Sequence, residues 1–317
     1  MNTNNKTTAK LTNRIAITIK EGGNGKRQTV YEQITDRIIS MLEKGTVPWQ
    51  KPWKVATGLP RNLISKKPYR GINTLLLHAM SYESPFWLTF HQAQQLGGMV
   101  RKGERACPVV FGKRVKEQDE QTGEETGYTV LRLYSVFNLS QIQGLKNIST
   151  TAETPATVST LAEDIIALMP KRPEIKYGMS KAYYSPSVDI IAMPDRARFD
   201  SEAQFFSTIY HEMIHATGAK SRLNRPTLTE SAGFGSDPYC KEELIAEMGA
   251  AFLCGHAGIE NTIQNSAAYL QNWLEQLQND KALIVQAAAH AQKAADFILG
   301  TKFDGTPASE PTTSTNQ

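Results

Sequence analysis

The residues best suited to chemistry lie at His211-Glu212-Met213-Ile214-His215, a match to H-E-x-x-H. In a helix, positions four apart sit about 40° from one another around the axis and one turn along, so both imidazoles project from one face toward a single point. They can share one zinc ion. Glu212 lies beside His211, where its carboxylate can reach water at the metal without ligating the metal itself, the place of a general base. Two histidines and a glutamate can also be plain surface residues, but with 6 histidines in 317 residues a chance match anywhere in the chain has a probability of roughly 1%. The flanking Phe205, Phe206, Ile209 and Ile214 mark a buried helix rather than an exposed polar one.

A catalytic zinc takes a third protein ligand and leaves its fourth position to water. Glu243 and Glu247, in Lys241-Glu242-Glu243-Leu244-Ile245-Ala246-Glu247, are the candidates. They are four apart on one helical face, so one can bind the metal while the other orients a histidine or the helix, and spacing does not decide which. The segment resembles the E-x-x-A-D/E pattern of HExxH peptidases, which implies Glu243 as ligand and Glu247 as support. Zinc, or Mn or another divalent ion in its place, would polarise a peptide carbonyl and lower the pKa of its water to about 7, with Glu212 taking the proton. That is the chemistry of peptide-bond hydrolysis. A strand at 188–193 offers an edge for an extended substrate. Tyr183 and Tyr184 are either oxyanion donors or ordinary half-buried strand aromatics.

These residues need elements to hold them. Ser201-x-x-Gln204 is a capping box and Gly218 a terminator, which predicts a helix over 201–217. A short helix at 161–168 and the 188–193 strand precede it, and helices at 241–255, 266–278 and 280–299 follow. Upstream, Val30, Ile34, Ile38, Met41 and Leu42 share a helical face behind the box Thr29-x-x-Glu32, with Gly45 as the stop. Pro48 and Pro52 keep the next segment from being helical throughout. Strands at 108–111 and 128–139 form a hairpin across a loop, 113–127, too polar for a core. The pattern is α+β in two domains: a mobile arm (1–28), a first domain (29–145), a polar linker (146–160), a second domain (161–300) and a disordered tail (301–317).

Composition agrees with a folded protein: 40% hydrophobic and 21% charged residues can bury a sizeable core. No apolar run reaches the ~18 residues of a membrane span, and the first 28 residues are polar, against a membrane or secreted protein. Cys107, Cys240 and Cys254 lack paired C-x2-C spacing and read as reduced cysteines of a cytoplasmic protein. The net charge of +4 conceals an asymmetry. Residues 1–150 hold 22 Lys and Arg against 11 Asp and Glu, or +11, whereas 151–317 hold 13 against 20, or −7. The basic half interleaves aromatics with cations: Trp49, Lys51, Trp53 and Lys54, then Arg61, Lys66, Lys67, Tyr69 and Arg70, then Arg101 and Lys102. Rings that stack on unpaired bases beside cations that follow phosphates make a single-strand binder. The same composition also suits core tryptophans under a solvated charged face.

Several motifs agree in order with a known family. The run Val30-Tyr31-x-x-Ile34-x-x-x-Ile38, Pro48-Trp49-x-x-Pro52-Trp53, Pro68-Tyr69-Arg70-Gly71-Ile72-Asn73, Phe86-Trp87-Leu88-Thr89-Phe90-x-Gln92-Ala93, Gly97-Gly98-x-Val100-Arg101-Lys102-Gly103-Glu104 and Tyr134-x-Val136-Phe137-Asn138 resembles the N-terminal domain of ArdC-type plasmid antirestriction proteins. A similar domain begins some conjugative-plasmid primases. The second half is similar to the zincin-like metallopeptidase domain joined to it in that family, and the resemblance covers about 29–300. It implies a domain that binds single-stranded DNA as a plasmid enters a new cell, together with protection from host restriction, and leaves open whether binding shields the incoming strand or proteolysis removes a host protein. One competing reading is a DNA-binding protein whose zinc site is structural or vestigial. A peptidase whose basic half docks an acidic protein is the other reading.

Overall fold

The computed structural model describes residues 28–50, 58–118, 125–145, 158–230, 237–262 and 267–301. Lys51, Trp53 and Lys54, and most of the expected arm, linker and tail, lie outside these residues. Helix α1 (Val30–Glu43) starts at the predicted capping box: Thr29 Oγ1 accepts from the Glu32 N–H at 3.2 Å, and Glu32 accepts from the Thr29 N–H at 2.6 Å. It ends at Gly45, whose φ of 74° suits a residue without a Cβ. Strand β1 (Arg61–Asn62), helix α2 (Ile72–Ala79), strand β2 (Phe86–Thr89), helix α3 (Phe90–Gln95) and strands β3 (Met99–Val100), β4 (Cys107–Gln118), β5 (Glu125–Asn138) and β6 (Ile142–Gln143) complete the first domain. One sheet has the order β1-β2-β5-β4, and β3 pairs with β6. The polar stretch expected as a loop belongs largely to the hairpin, because β4 and β5 stay paired out to Gln118 opposite Glu125. Ladder hydrogen bonds need no apolar side chains, so a polar sequence can still pair as two strands.

In the second domain, α4 (Val158–Ala167) precedes strands β7 (Glu174–Lys176), β8 (Tyr183–Ser185) and β9 (Ile190–Ala192). Helices α5 (Glu202–Thr217), α6 (Pro226–Thr229), α7 (Asp237–Ala257), α8 (Ala267–Asn279) and α9 (Leu283–Ile298) follow. The sheet order β7-β9-β8 corrects one expectation: the 188–193 strand is central, and the antiparallel edge packed against α5 is β8. The cap of α5 is also only half as expected. Ser201 Oγ accepts from the Gln204 N–H at 3.1 Å, but Gln204 reaches past Ser201 to accept from the Asp200 N–H at 2.7 Å.

The two domains meet through one apolar cluster. It runs from Ile34 and Ile38 of α1 and Leu75 and Leu76 of α2 to Ile209 of α5, Leu244 of α7 and the alanines of α9. Ala287, Ala288, Ala291, Ala294 and Ala295 are all buried, so the alanine-rich sequence that favours helix also lets neighbours approach α9 closely. Polar ties reinforce the seam. Lys281 pairs with Asp36 at 2.8 Å, Arg70 pairs with Asp296, and the Gly71 N–H donates to Gln292 at 2.9 Å. Cys107, Cys240 and Cys254 are free and buried. Among the described residues no helix is long and apolar enough to cross a membrane.

Candidate metal centre and basic face

Helix α5 buries Phe205, Phe206, Ile209, Tyr210, Met213 and Ile214, and so turns His211 and His215 toward α7. α7 comes close because Gly249 has no side chain. A Cβ there would lie 2.6, 2.8 and 3.0 Å from three side-chain carbons of Ile214. Gly249→Ala is therefore expected to destabilise the protein in urea titration: overpacking costs about 1–3 kcal/mol, and helix propensity returns at most about 1. The double variant with Ile214→Ala should recover part of the loss.

Two imidazoles and a carboxylate then converge. His211 Nε2 and His215 Nε2 are 3.1 Å apart, and Glu243 straddles them, with Oε2 3.5 Å from His211 Nε2 and Oε1 3.5 Å from His215 Nε2. These three residues are the group, among those described, whose ligand atoms can hold one ion. A tetrahedral ion with bonds of about 2.0–2.2 Å spaces its ligand atoms about 3.3–3.6 Å apart, close to the separations found here, and one ligand atom from each of the three residues lies within 4.8 Å of the other two, so the set suits a divalent metal. Glu212, next to His211 in the chain, is buried, and its charge acts on that imidazole. Burial pulls the His211 imidazole down, but its hydrogen bond to Glu243 and the charges of Glu212, Glu247 and Glu243 outweigh this and raise it to about 9. Burial pushes Glu243 up, yet His211, His215 and a hydrogen bond from Tyr239 hold it below the usual carboxylate range. The Tyr239 hydroxyl also meets that of Tyr269 at 3.2 Å. Burial and these partners push Tyr239 far up, which keeps it a donor.

Support for the histidines is divided in a way spacing did not reveal. His215 Nδ1 meets Glu242 at 3.1 Å, and Glu242 is fixed by the buried Arg225, whose Nε donates to it at 2.9 Å, and by Thr227 at 2.5 Å. Arg225 also donates to Thr217 Oγ1 at 2.8 Å and to the Ile214 carbonyl at 2.9 Å. The glutamate that orients His215 is thus Glu242, while Glu247 is buried and acts on His211 through its charge. Glu242 escaped the helical-face argument because it precedes Glu243 by one residue. Gly218 has a new role as well: with an ordinary φ of −71°, it makes room for Arg225, whose Nη2 would lie 2.9 Å from a Cβ there. Tyr184 does not face this site as a free donor, since its hydroxyl donates to Asp189 at 2.7 Å and accepts from Arg222 at 3.1 Å. Tyr183 is exposed on β8.

The aromatic and basic residues of the first domain divide differently from expectation. Trp49 is fully buried, edge-on to Trp273 of α8 with centroids 5.5 Å apart, and Tyr69 is buried against Phe111. Neither ring is available for a base. Arg70 is paired with Asp296 and Arg101 with Glu104 at 2.8 Å. Arg61 is half-buried, Lys66 lies over the Phe86 ring at 4.8 Å, and Lys67 and Lys102 are exposed. Interleaved aromatics and cations read alike in a sequence whether they face water or a neighbouring domain, and here much of the pattern is the seam.

A family model of the N-terminal domain of the anti-restriction factor ArdC matches residues 28–137, and one of a zincin-like metallopeptidase matches 162–290. Two curated DNA primases TraC from Escherichia coli are 36% and 34% identical over 86% of this chain, which spans only 27% and 20% of their lengths. The uncharacterized protein y4eC of Sinorhizobium fredii (strain NBRC 101917 / NGR234) is 35% identical, with 87% of this chain and 93% of that protein covered. Crystal structures of the antirestriction ArdC protein from plasmid R388 also match, each with a TM-score of 0.69. The metal-free form is 39% identical over 85% of this chain and 96% of that one, and the Mn(II)-bound form 37% identical over 86% and 97%. Both domains match in order and nearly the whole R388 protein is covered, so the chain belongs to the family of ArdC-type antirestriction proteins.

Proposed function

We propose that this antirestriction protein binds single-stranded DNA through its N-terminal domain during plasmid entry, and hydrolyses peptide bonds at a divalent-metal centre held by His211, His215 and Glu243. The observation that carries the enzymatic half is the convergence of His211, His215 and Glu243 through contacts of 3.1 and 3.5 Å, with the buried Glu212 next to His211 in the chain. The donor set of two imidazoles and one carboxylate suits zinc, and the Mn(II)-bound R388 relative supports a divalent ion in this family. When bound, such an ion polarises a carbonyl and acidifies water. The chain supplies the rest. Glu212 takes the proton from the attacking water. Glu242, clamped by Arg225, keeps His215 turned so that Nε2 faces the centre, and Tyr239 steadies Glu243. β8 packs against α5, and its outer edge has no partner strand among the described residues, which suits an extended peptide added as a further strand. The DNA half is supported by the ArdC N-terminal model and the +11 charge of residues 1–150.

The test is metal analysis and thermal melting of the full chain with zinc or manganese, alongside cleavage of an unfolded reporter protein. Wild type should bind metal and melt higher with it. His211→Ala should lose both effects. Glu212→Gln should keep the metal while cleavage falls about 10²- to 10⁴-fold. Cleavage that survives in Glu212→Gln would remove the peptidase mechanism. Metal bound by a wild type that cleaves nothing would leave a structural centre.

A further inference from the structure

The first domain carries a second, smaller core away from the seam, built from Leu63, Phe86, Leu88, Ala93 and Ile142. Its outer skin is unusual. Of the nine large apolar side chains exposed among the described residues, the four in this domain all belong here: Ile64, Phe90, Leu96 and Met99. Each borders a residue of the small core or its margin. Ile64 follows Leu63, Phe90 and Leu96 bracket Ala93 on and just beyond α3, and Met99 precedes Val100. Lysines neighbour the same small core. Lys66 sits over Phe86, Lys67 is exposed beside it, and Lys102 follows Arg101, whose N–H is anchored to the Gln141 carbonyl at 3.0 Å. Residues 58–107 hold 7 Lys and Arg against 2 Asp and Glu. Of those two acids, Glu104 is already taken by Arg101 and Gln141.

We infer that this face is where single-stranded DNA lies, with Phe90 as the ring that stacks on a base and Lys66, Lys67 and Lys102 on the phosphates. It rests on the reading that the N-terminal domain binds single-stranded DNA, and it replaces Trp49 and Tyr69 with a ring that is open to solvent. Phe90 is 47% exposed at the first position of α3, where the Thr89–Gln92 capping box fixes the backbone that presents it. A polyanion with flat, apolar bases fits such a surface on both counts, whereas duplex DNA hides its base faces.

The experiment uses the full-length protein and fluorescein-labelled oligo-dT in a salt series. Phe90→Ala and Phe90→Leu should each weaken binding about 5- to 150-fold. Lys66→Ala, Lys67→Ala and Lys102→Ala should each flatten the slope of log affinity on log salt by about 0.7, the share of one phosphate that is no longer neutralised. Lys220→Ala, an exposed lysine of the second domain, should change nothing. Full affinity in both Phe90 variants, or an unchanged slope in all three lysine variants, would overturn this surface while leaving DNA binding intact. Restoration by leucine alone would make the contact merely apolar and overturn the stacking role. Poly-glutamate competing as well as oligo-dT would assign the face to an acidic protein instead. Wild type that binds no oligonucleotide would sink the parent reading itself.

Discussion

Arg225→Ala is expected to destabilise the protein by about 3–5 kcal/mol and to weaken metal binding about 10- to 100-fold. Arg225 and Glu242 are both almost wholly buried, and the guanidinium donates to Glu242, to Thr217 and to the Ile214 carbonyl. Removing it leaves the Glu242 carboxylate in the interior with His215 and Thr227 but without its counter-charge. Burial by itself would push the Glu242 carboxyl up; Arg225 first, then His215, hold it well below the usual range. A second variant separates structure from ligand orientation. With Arg225→Met and Glu242→Met together, no charge remains buried, and most of the stability should return, because an apolar pair of similar volume commonly matches a buried ion pair. Metal affinity should not return, since His215 Nδ1 is then without the acceptor that sets its tautomer. Urea titration and metal titration by calorimetry read the two effects independently. A single variant that unfolds like wild type, or a double variant that regains metal affinity, would show that this network does not hold the histidine.

The helix bearing His211 and His215 and the cap of α1 were legible because each depends on residues three or four apart, within reach of periodicity and capping rules. The place of Glu243 beside the two histidines was legible by pattern, as was the α+β division into two domains. What sequence could not show were facts of long range. Glu242 stands 27 residues from His215, and nothing in its immediate neighbours reveals that Arg225 clamps it there. β9 became central only because β7, earlier in the chain, pairs on its far side. The hairpin outran its apolar segments because ladder bonds ignore side-chain polarity. Trp49 read as a base-stacking ring because its neighbours in sequence are proline and lysine, whereas its neighbours in space are Trp273 and Asn261.

That last reversal yields the second large expectation: Trp49→Ala should cost about 3–5 kcal/mol, the range for deleting a large buried aromatic. Trp49 has no exposed surface, its ring meets the edge of Trp273 on α8, and its carbonyl accepts from Asn261 Nδ2 at 2.9 Å. The cavity would open at the seam, where α1 also packs on α8 and α9, so both domains should lose stability in one transition rather than the first alone. Trp49→Phe should cost less, because it keeps an aromatic edge and the indole N–H has no hydrogen-bond partner among the described residues to forfeit. For the same reason a fragment ending near residue 145 would expose the apolar face of α1 together with Trp49, so oligonucleotide binding is best measured on the whole chain. Where folded Trp49→Ala protein can be recovered, it should bind oligo-dT as wild type does, in contrast to the Phe90 variants. A Trp49→Ala protein that unfolds like wild type in urea yet fails to bind the oligonucleotide would mean that the indole leaves the seam to stack on a base.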